Sequence, residues 1–107
     1  MKVLITGNMG YIGPVVAQHL RSRHENLELV GFDTGFFAGC LADPRDFPER
    51  IFDRQVFGDV REMPREELLG VDAVIYLAAV SNDPMGKEFE TATHAINAEA
   101  AASVARK

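Results

Sequence analysis

The chain has 107 residues, 47% of them hydrophobic, with 16 acidic against 11 basic side chains and a formal charge of −5. That is enough apolar material for one compact domain with a single core, and the acidic excess, interleaved with basic residues, argues against a nucleic-acid footprint or a polybasic membrane patch. The lone cysteine, Cys40, rules out an internal disulfide and a cysteine-based metal cluster, which points to a reducing, cytoplasmic setting and an idle thiol with no histidine beside it.

At the amino terminus a single Lys2 precedes the apolar run Val3-Leu4-Ile5, and Gly7 and Asn8 interrupt that run too early for a signal peptide. No segment reaches the roughly 20 apolar residues needed to span a bilayer, so a soluble protein is expected. Val3-Leu4-Ile5 itself, continuous and ended by glycine, predicts a parallel strand covered on both faces. From Tyr11 the period becomes helical: Ile12, Val15, Val16, His19 and Leu20 form the predicted apolar face, and Gln18, Arg21 and Arg23 the outer one. Pro14 falls in the first turn, where a missing N–H costs little.

Leu27 to Phe32 predicts a second strand ending at Asp33, after which Thr34 to Gly39 and Asp43-Pro44 break regular structure in a long connection. Arg54 to Phe57 predicts a short third strand closed by Gly58-Asp59-Val60, and Pro64 to Leu69 a brief helix. Asp72 to Val80 predicts a fourth strand buried on both faces. Ser81-Asn82-Asp83-Pro84 carries helix-starting residues, and Phe89, Ala92, Ile96, Ala100 and Val104 supply one helical face thereafter. The alternation of strands and helices predicts an α/β, doubly wound parallel sheet with right-handed crossovers.

The chemistry-bearing motif joins the first strand to the first helix: Ile5-Thr6-Gly7-Asn8-Met9-Gly10-Tyr11-Ile12-Gly13. Glycines at this junction suit a dinucleotide pyrophosphate, giving a tight turn, close backbone approach and close helix packing, with helix amides facing the anion. The spacing is GxxGxxG, and no Gly-Lys-Ser/Thr follows, which disfavours a nucleoside-triphosphate loop. Asp33, twenty residues beyond Gly13, ends the second strand where a carboxylate can accept from both adenosine ribose hydroxyls. A 2′-phosphate would meet repulsion there, and no Arg or Lys follows immediately to offset it, so NAD is favoured over NADP. Taken alone, Asp33 is also compatible with an ordinary turn.

Together, Thr6 to Gly13, Asp33, Gly58-Asp59-Val60-Arg61, Leu77-Ala78-Ala79 and Asn97 make the chain resemble the amino-terminal half of an extended short-chain dehydrogenase/reductase, nearest the NAD-dependent nucleotide-sugar epimerase/dehydratase group. The resemblance covers essentially the whole chain and implies a Rossmann-like NAD(P)-binding domain over residues 1–107. It implies cofactor contacts from Gly7, Met9, Gly10, Tyr11, Ile12 and Gly13 at the pyrophosphate, from Asp33 and Thr34 at the ribose, and from Asp59 and Val60 at the adenine. Leu77, Ala78 and Ala79 would run along ribose and phosphates, Ser81 would approach the nicotinamide side, and Asn97 would hold active-site backbone and water. Read without the resemblance, Asp59 could cap a turn, Leu77 could be plain core, and Asn97 could be a solvated helix residue. His19, His24 and His94 lack metal-ligand spacing.

The same resemblance calls for a Tyr-x-x-x-Lys pair, the lysine lowering the pKa of a tyrosine that acts as general base. Tyr11 and Tyr76 are each followed four residues on by valine, Val15 and Val80, so neither supplies it and no catalytic residue is assigned. The sequence ends at Arg106-Lys107, and the expectation is an incomplete domain, inactive alone, whose full enzyme would be a homodimer transiently oxidising a nucleotide-sugar hydroxyl. A non-catalytic NAD-binding sensor or subunit, or a purely structural α/β domain, are the competing readings.

Overall fold

A computed structural model of the chain describes residues 1–35, 51–80 and 90–107. Within them, β1 (Lys2–Thr6), β2 (Glu28–Asp33), β3 (Arg54–Phe57) and β4 (Ala73–Tyr76) form one parallel sheet in the order β3-β2-β1-β4. Ile5 lies opposite Gly31 on one side and Ile75 on the other, which sets the register across the centre. Because β1 is central, its run Val3-Leu4-Ile5 is buried on both faces, and the same holds for Leu29, Val30 and Phe32 of β2.

Odd and even positions of these strands feed two separate cores, as strand geometry requires. On one face Val3, Ile5 and Leu29 pack with Leu27, Phe52 and Ala17 of α1 (Gly13–Arg23). On the other, Leu4, Val30 and Phe32 pack with Val60, Met63, Ala100 and Val104. Fully burying one such Val, Leu or Phe side chain contributes about 1.5–3 kcal/mol. The doubly wound α/β arrangement read from the sequence is therefore the one the chain adopts.

Four local expectations change. The inward stripe of α1 is Gly13, Val16, Ala17 and Leu20, while Ile12 is 62% and Val15 66% exposed and His19 is exposed. Gly13 sits directly against the Asn8 backbone, where a Cβ would lie 2.2 Å from the Asn8 carbonyl oxygen, and that seat turns the helix one position from the predicted face. β4 covers only Ala73–Tyr76, because its partner β1 ends at Thr6, and Ala73 and Val74 are exposed rather than enclosed. The brief helix after Pro64 is a 3₁₀ turn, Arg65–Leu68, preceded by another at Val60–Glu62. The last helical stretch consists of α2 (Glu90–His94), a π-helical segment Ala95–Ala100 and α3 (Ala101–Arg106). Cys40, the Ser81–Pro84 start signal and Phe89 lie outside the described residues.

Two polar clusters fix the elements around the sheet. Arg21, in the last turn of α1, donates to the carbonyls of Ile51 and Leu27 and pairs with Asp53. The Asp53 carboxylate also accepts the Leu29 N–H at 2.7 Å, so the entry to β3 is tied to β2 and α1 at once. At the opposite end, the Tyr76 hydroxyl donates to the Ile96 carbonyl at 2.7 Å, joining β4 to the π-helical segment.

Candidate nucleotide-binding site

The carboxyl ends of β1, β2 and β4 converge on the glycine-rich turn. Gly7 has φ +69°, a left-handed value that favours glycine, and its N–H donates to the Phe32 carbonyl at 2.8 Å. A Cβ there would lie 2.6 Å from the Ala78 backbone nitrogen, so β1 and the exit of β4 can pass this closely only with glycine. Gly10 is different: its N–H donates to the Gly7 carbonyl at 3.2 Å, and that same oxygen, 3.3 Å away, is all that a Cβ would meet. Its outer side is open.

Beyond the turn, α1 begins without a side-chain cap on Ile12. The first intrahelical bond runs from the Val16 N–H to the Ile12 carbonyl at 3.0 Å, so the N–H groups of Gly13 and Val15 precede the ladder, and Pro14 has none to offer. An opening beside Gly10, backed by uncapped helix donors, is the donor set that an anion such as a pyrophosphate fits. The side chains of Tyr11 (88% exposed) and Ile12 point away from the core.

Asp33, half-buried at the end of β2, faces this turn. Its Oδ2 accepts the Met9 N–H at 3.0 Å and its Oδ1 the Gly35 N–H at 2.8 Å. Thr34, next to it, is exposed. Thr6 Oγ1, fully buried, accepts from the N–H groups of Leu77 (3.2 Å) and Ala78 (3.3 Å), which fixes the chain as it leaves β4. Ala79 follows on the surface, and Val80 is clasped at both backbone groups by the Asn97 amide, at 2.9 and 3.0 Å. Asn97 lies within the π-helical segment and, though exposed, it reaches across to hold backbone.

Asp59 caps the 3₁₀ turn that follows β3, accepting the Arg61 N–H at 2.9 Å, and pairs with the Arg61 guanidinium. That pairing holds the Asp59 carboxyl below the usual carboxylate range. Val60 is buried and packs in the core with Leu4, Val30 and Phe32. Ser81 lies outside the described residues. Among the described residues no group of three or more His, Cys, Asp or Glu could hold a metal ion, and no helix is long and apolar enough to cross a membrane.

The family model for the NAD dependent epimerase/dehydratase family matches residues 3–106. The chain belongs to that family. A UDP-glucose 4-epimerase of Streptomyces lividans is 38% identical over 85 residues, which cover 75% of this chain and 23% of that protein. Among solved structures, a UDP-glucose-4-epimerase from Stenotrophomonas maltophila with bound NAD and formylated UDP-arabinopyranose superposes with a TM-score of 0.72 at 25% identity, covering 97% of this chain and 32% of that one. A UDP-glucuronic acid 4-epimerase from Bacillus cereus in complex with NAD shares the fold, with a TM-score of 0.69 at 22% identity over 97% of this chain and 34% of its own. The chain thus spans about a quarter to a third of the length of these family members.

Three residues of this region escape a reading by motif. Asn8, with 0% exposure, exchanges hydrogen bonds with Gln55 of β3, and both amides occupy the space beside Gly31. The available signal was Gly31 itself, a glycine inside an otherwise apolar strand, which marks the close approach of another group.

Proposed function

We propose that this chain is the dinucleotide-binding portion of an NAD-dependent nucleotide-sugar epimerase or dehydratase. The observation that carries this reading is the Asp33 carboxylate, held beside the glycine-rich turn by Met9 and Gly35 with acceptor capacity left on both oxygens. In this reading the pyrophosphate lies over Gly7 and Gly10, against the backbone of Met9, Tyr11, Ile12 and Gly13. The adenosine ribose hydroxyls donate to Asp33 beside Thr34, and the adenine lies at Asp59 and the Val60 backbone. Leu77, Ala78 and Ala79 border the ribose and phosphates, Ser81 the nicotinamide side, and Asn97 orders the Val80 backbone next to it.

NAD, when bound, supplies a reversible hydride acceptor for a sugar hydroxyl. The chain's own part is to orient the dinucleotide and to disfavour NADP, since no cationic side chain directly follows Asp33 to receive a 2′-phosphate. The complete enzyme would act on a nucleotide sugar as a homodimer, with its proton-transfer residues outside this sequence.

Calorimetric titration of the 107-residue chain with NAD and with NADP tests the proposal. Saturable heat with NAD and at least about tenfold weaker binding of NADP is expected, a difference of about 1.4 kcal/mol. No heat and no shift in melting temperature with either nucleotide would leave a structural α/β domain as the better reading.

A further inference from the structure

The glycine-rich turn is held from beneath by a polar contact that no part of the nucleotide reading uses. Asn8, the residue after Gly7, turns its side chain into the sheet and is fully buried. Its Nδ2 donates to Gln55 Oε1 at 2.6 Å, and Gln55 Nε2 donates back to Asn8 Oδ1 at 3.2 Å and to the Val56 carbonyl at 3.2 Å. β2 lies between β1 and β3, so this amide pair crosses a whole strand. It crosses at Gly31, where a Cβ would lie 2.3 Å from Asn8 Nδ2 and 2.5 Å from Gln55 Oε1. The Asn8 backbone in turn carries Gly13, the first residue of α1, pressed against it.

Asn8 is therefore the point at which the turn, the start of α1 and the distant strand β3 are locked together. A buried amide costs free energy unless its hydrogen bonds are made, so Asn8 has one low-energy placement, and the backbone of Gly7, Met9 and Gly10 is carried with it. A loop ordered in advance binds its ligand without the entropic cost of being ordered by it.

We propose that Asn8 and Gln55 are positioning residues, an amide clasp through the Gly31 notch that fixes the glycine-rich turn in its anion-accepting shape before any nucleotide arrives. The effect on affinity rests on the NAD reading above; the effect on loop order does not.

The test replaces both amides together by near-isosteric apolar side chains, Asn8→Leu with Gln55→Met, because removing both partners of a buried pair can leave stability nearly unchanged. Gln55→Met alone is the second variant; it leaves the buried Asn8 amide without its partner, so it should lower the melting temperature more than the double replacement while freeing the same turn. Amide hydrogen exchange on the full chain without nucleotide should show the Met9 and Gly10 N–H groups exchanging about tenfold faster or more, with Leu29 and Val30 of β2 unchanged. The dissociation constant for NAD should rise about tenfold, in excess of any change in melting temperature. Unchanged exchange at Met9 and Gly10 in both variants would overturn the clasp as a positioning device. Faster exchange with unchanged NAD affinity would overturn its role in binding. If the parent chain bound no NAD at all, the nucleotide reading would fall, while the exchange result would still decide whether the clasp orders the turn.

Discussion

The Met9 N–H donates to Asp33 Oδ2 at 3.0 Å, so the glycine-rich turn is bonded to the same carboxylate that ends β2. With Gly35 on the other oxygen, the Asp33 side chain has a fixed orientation and remains an acceptor on both atoms. Asp33 thus has two separable tasks, shaping the turn and receiving ribose hydroxyls.

Asp33→Asn separates them. The amide keeps an oxygen for the Met9 N–H but loses an acceptor and the charge. NAD affinity should fall about 10- to 100-fold, as hydrogen bonds to charged groups contribute about 1.5–3 kcal/mol, and the preference over NADP should shrink. Calorimetry with both nucleotides checks this; an unaltered NAD-to-NADP ratio would place ribose recognition elsewhere.

Gly7 and Gly70 offer a controlled comparison, with φ of +69° and +71°. A Cβ at Gly70 meets nothing within 4 Å, whereas at Gly7 it meets Ala78 backbone at 2.6 Å. Gly70→Ala should cost about 1 kcal/mol through its dihedral alone, and Gly7→Ala about 3 kcal/mol or more because the backbone must also move. Urea denaturation of the two variants measures the difference.

Acid should weaken the fold through Asp53 and Asp59. The Leu29 N–H first, and then the Arg21 guanidinium, hold the Asp53 carboxyl below its ordinary value against the opposing effect of burial; Arg61 does the same for Asp59. A carboxyl lowered in the folded state contributes stability that is complete above the unfolded value and is lost as pH falls through the folded one. The urea midpoint should therefore hold between pH 7 and about 5 and decline below about pH 4. Asp53→Asn should lower the midpoint at pH 7 and flatten that decline.

Tyr76→Phe removes the donor to the Ile96 carbonyl and should cost about 0.5–1.5 kcal/mol, the net range for one intramolecular hydrogen bond. Burial, with a smaller effect from Asp59, pushes the Tyr76 phenol above the usual tyrosine value. In an ultraviolet titration the absorbance change at the highest pH should be lost in Tyr76→Phe.

The sheet was legible because its signals are short-range. Continuous apolar runs at Val3-Leu4-Ile5 and Leu29-Val30 mark buried parallel strands, and Gly7, Gly10 and Gly13 mark the turn between strand and helix. The end of β4 was not legible from Ala73 to Val80, since that run stays apolar while the strand stops where β1 stops offering partners. The rotation of α1 depends on Gly13 resting on Asn8, a contact that apolar periodicity does not encode. Within the candidate site, residue types placed Asp33 beside the turn, but the Asn8–Gln55 pair joins positions 47 residues apart and follows only from the sheet order. The pairing of Arg61 with the Asp59 carboxylate is likewise a matter of the 3₁₀ turn between them, which residue types alone do not give.

The gap at Gly31 makes residues from three separate segments a single unit of inheritance. Moving residues 7–13 alone into another parallel sheet would bring Asn8 without its recess or its amide partner, and the grafted turn would have a buried polar group with nowhere to bond. A chimera that keeps the turn's geometry has to carry positions 8, 31 and 55 together, so the smallest portable version of this turn is a strand triplet and its helix.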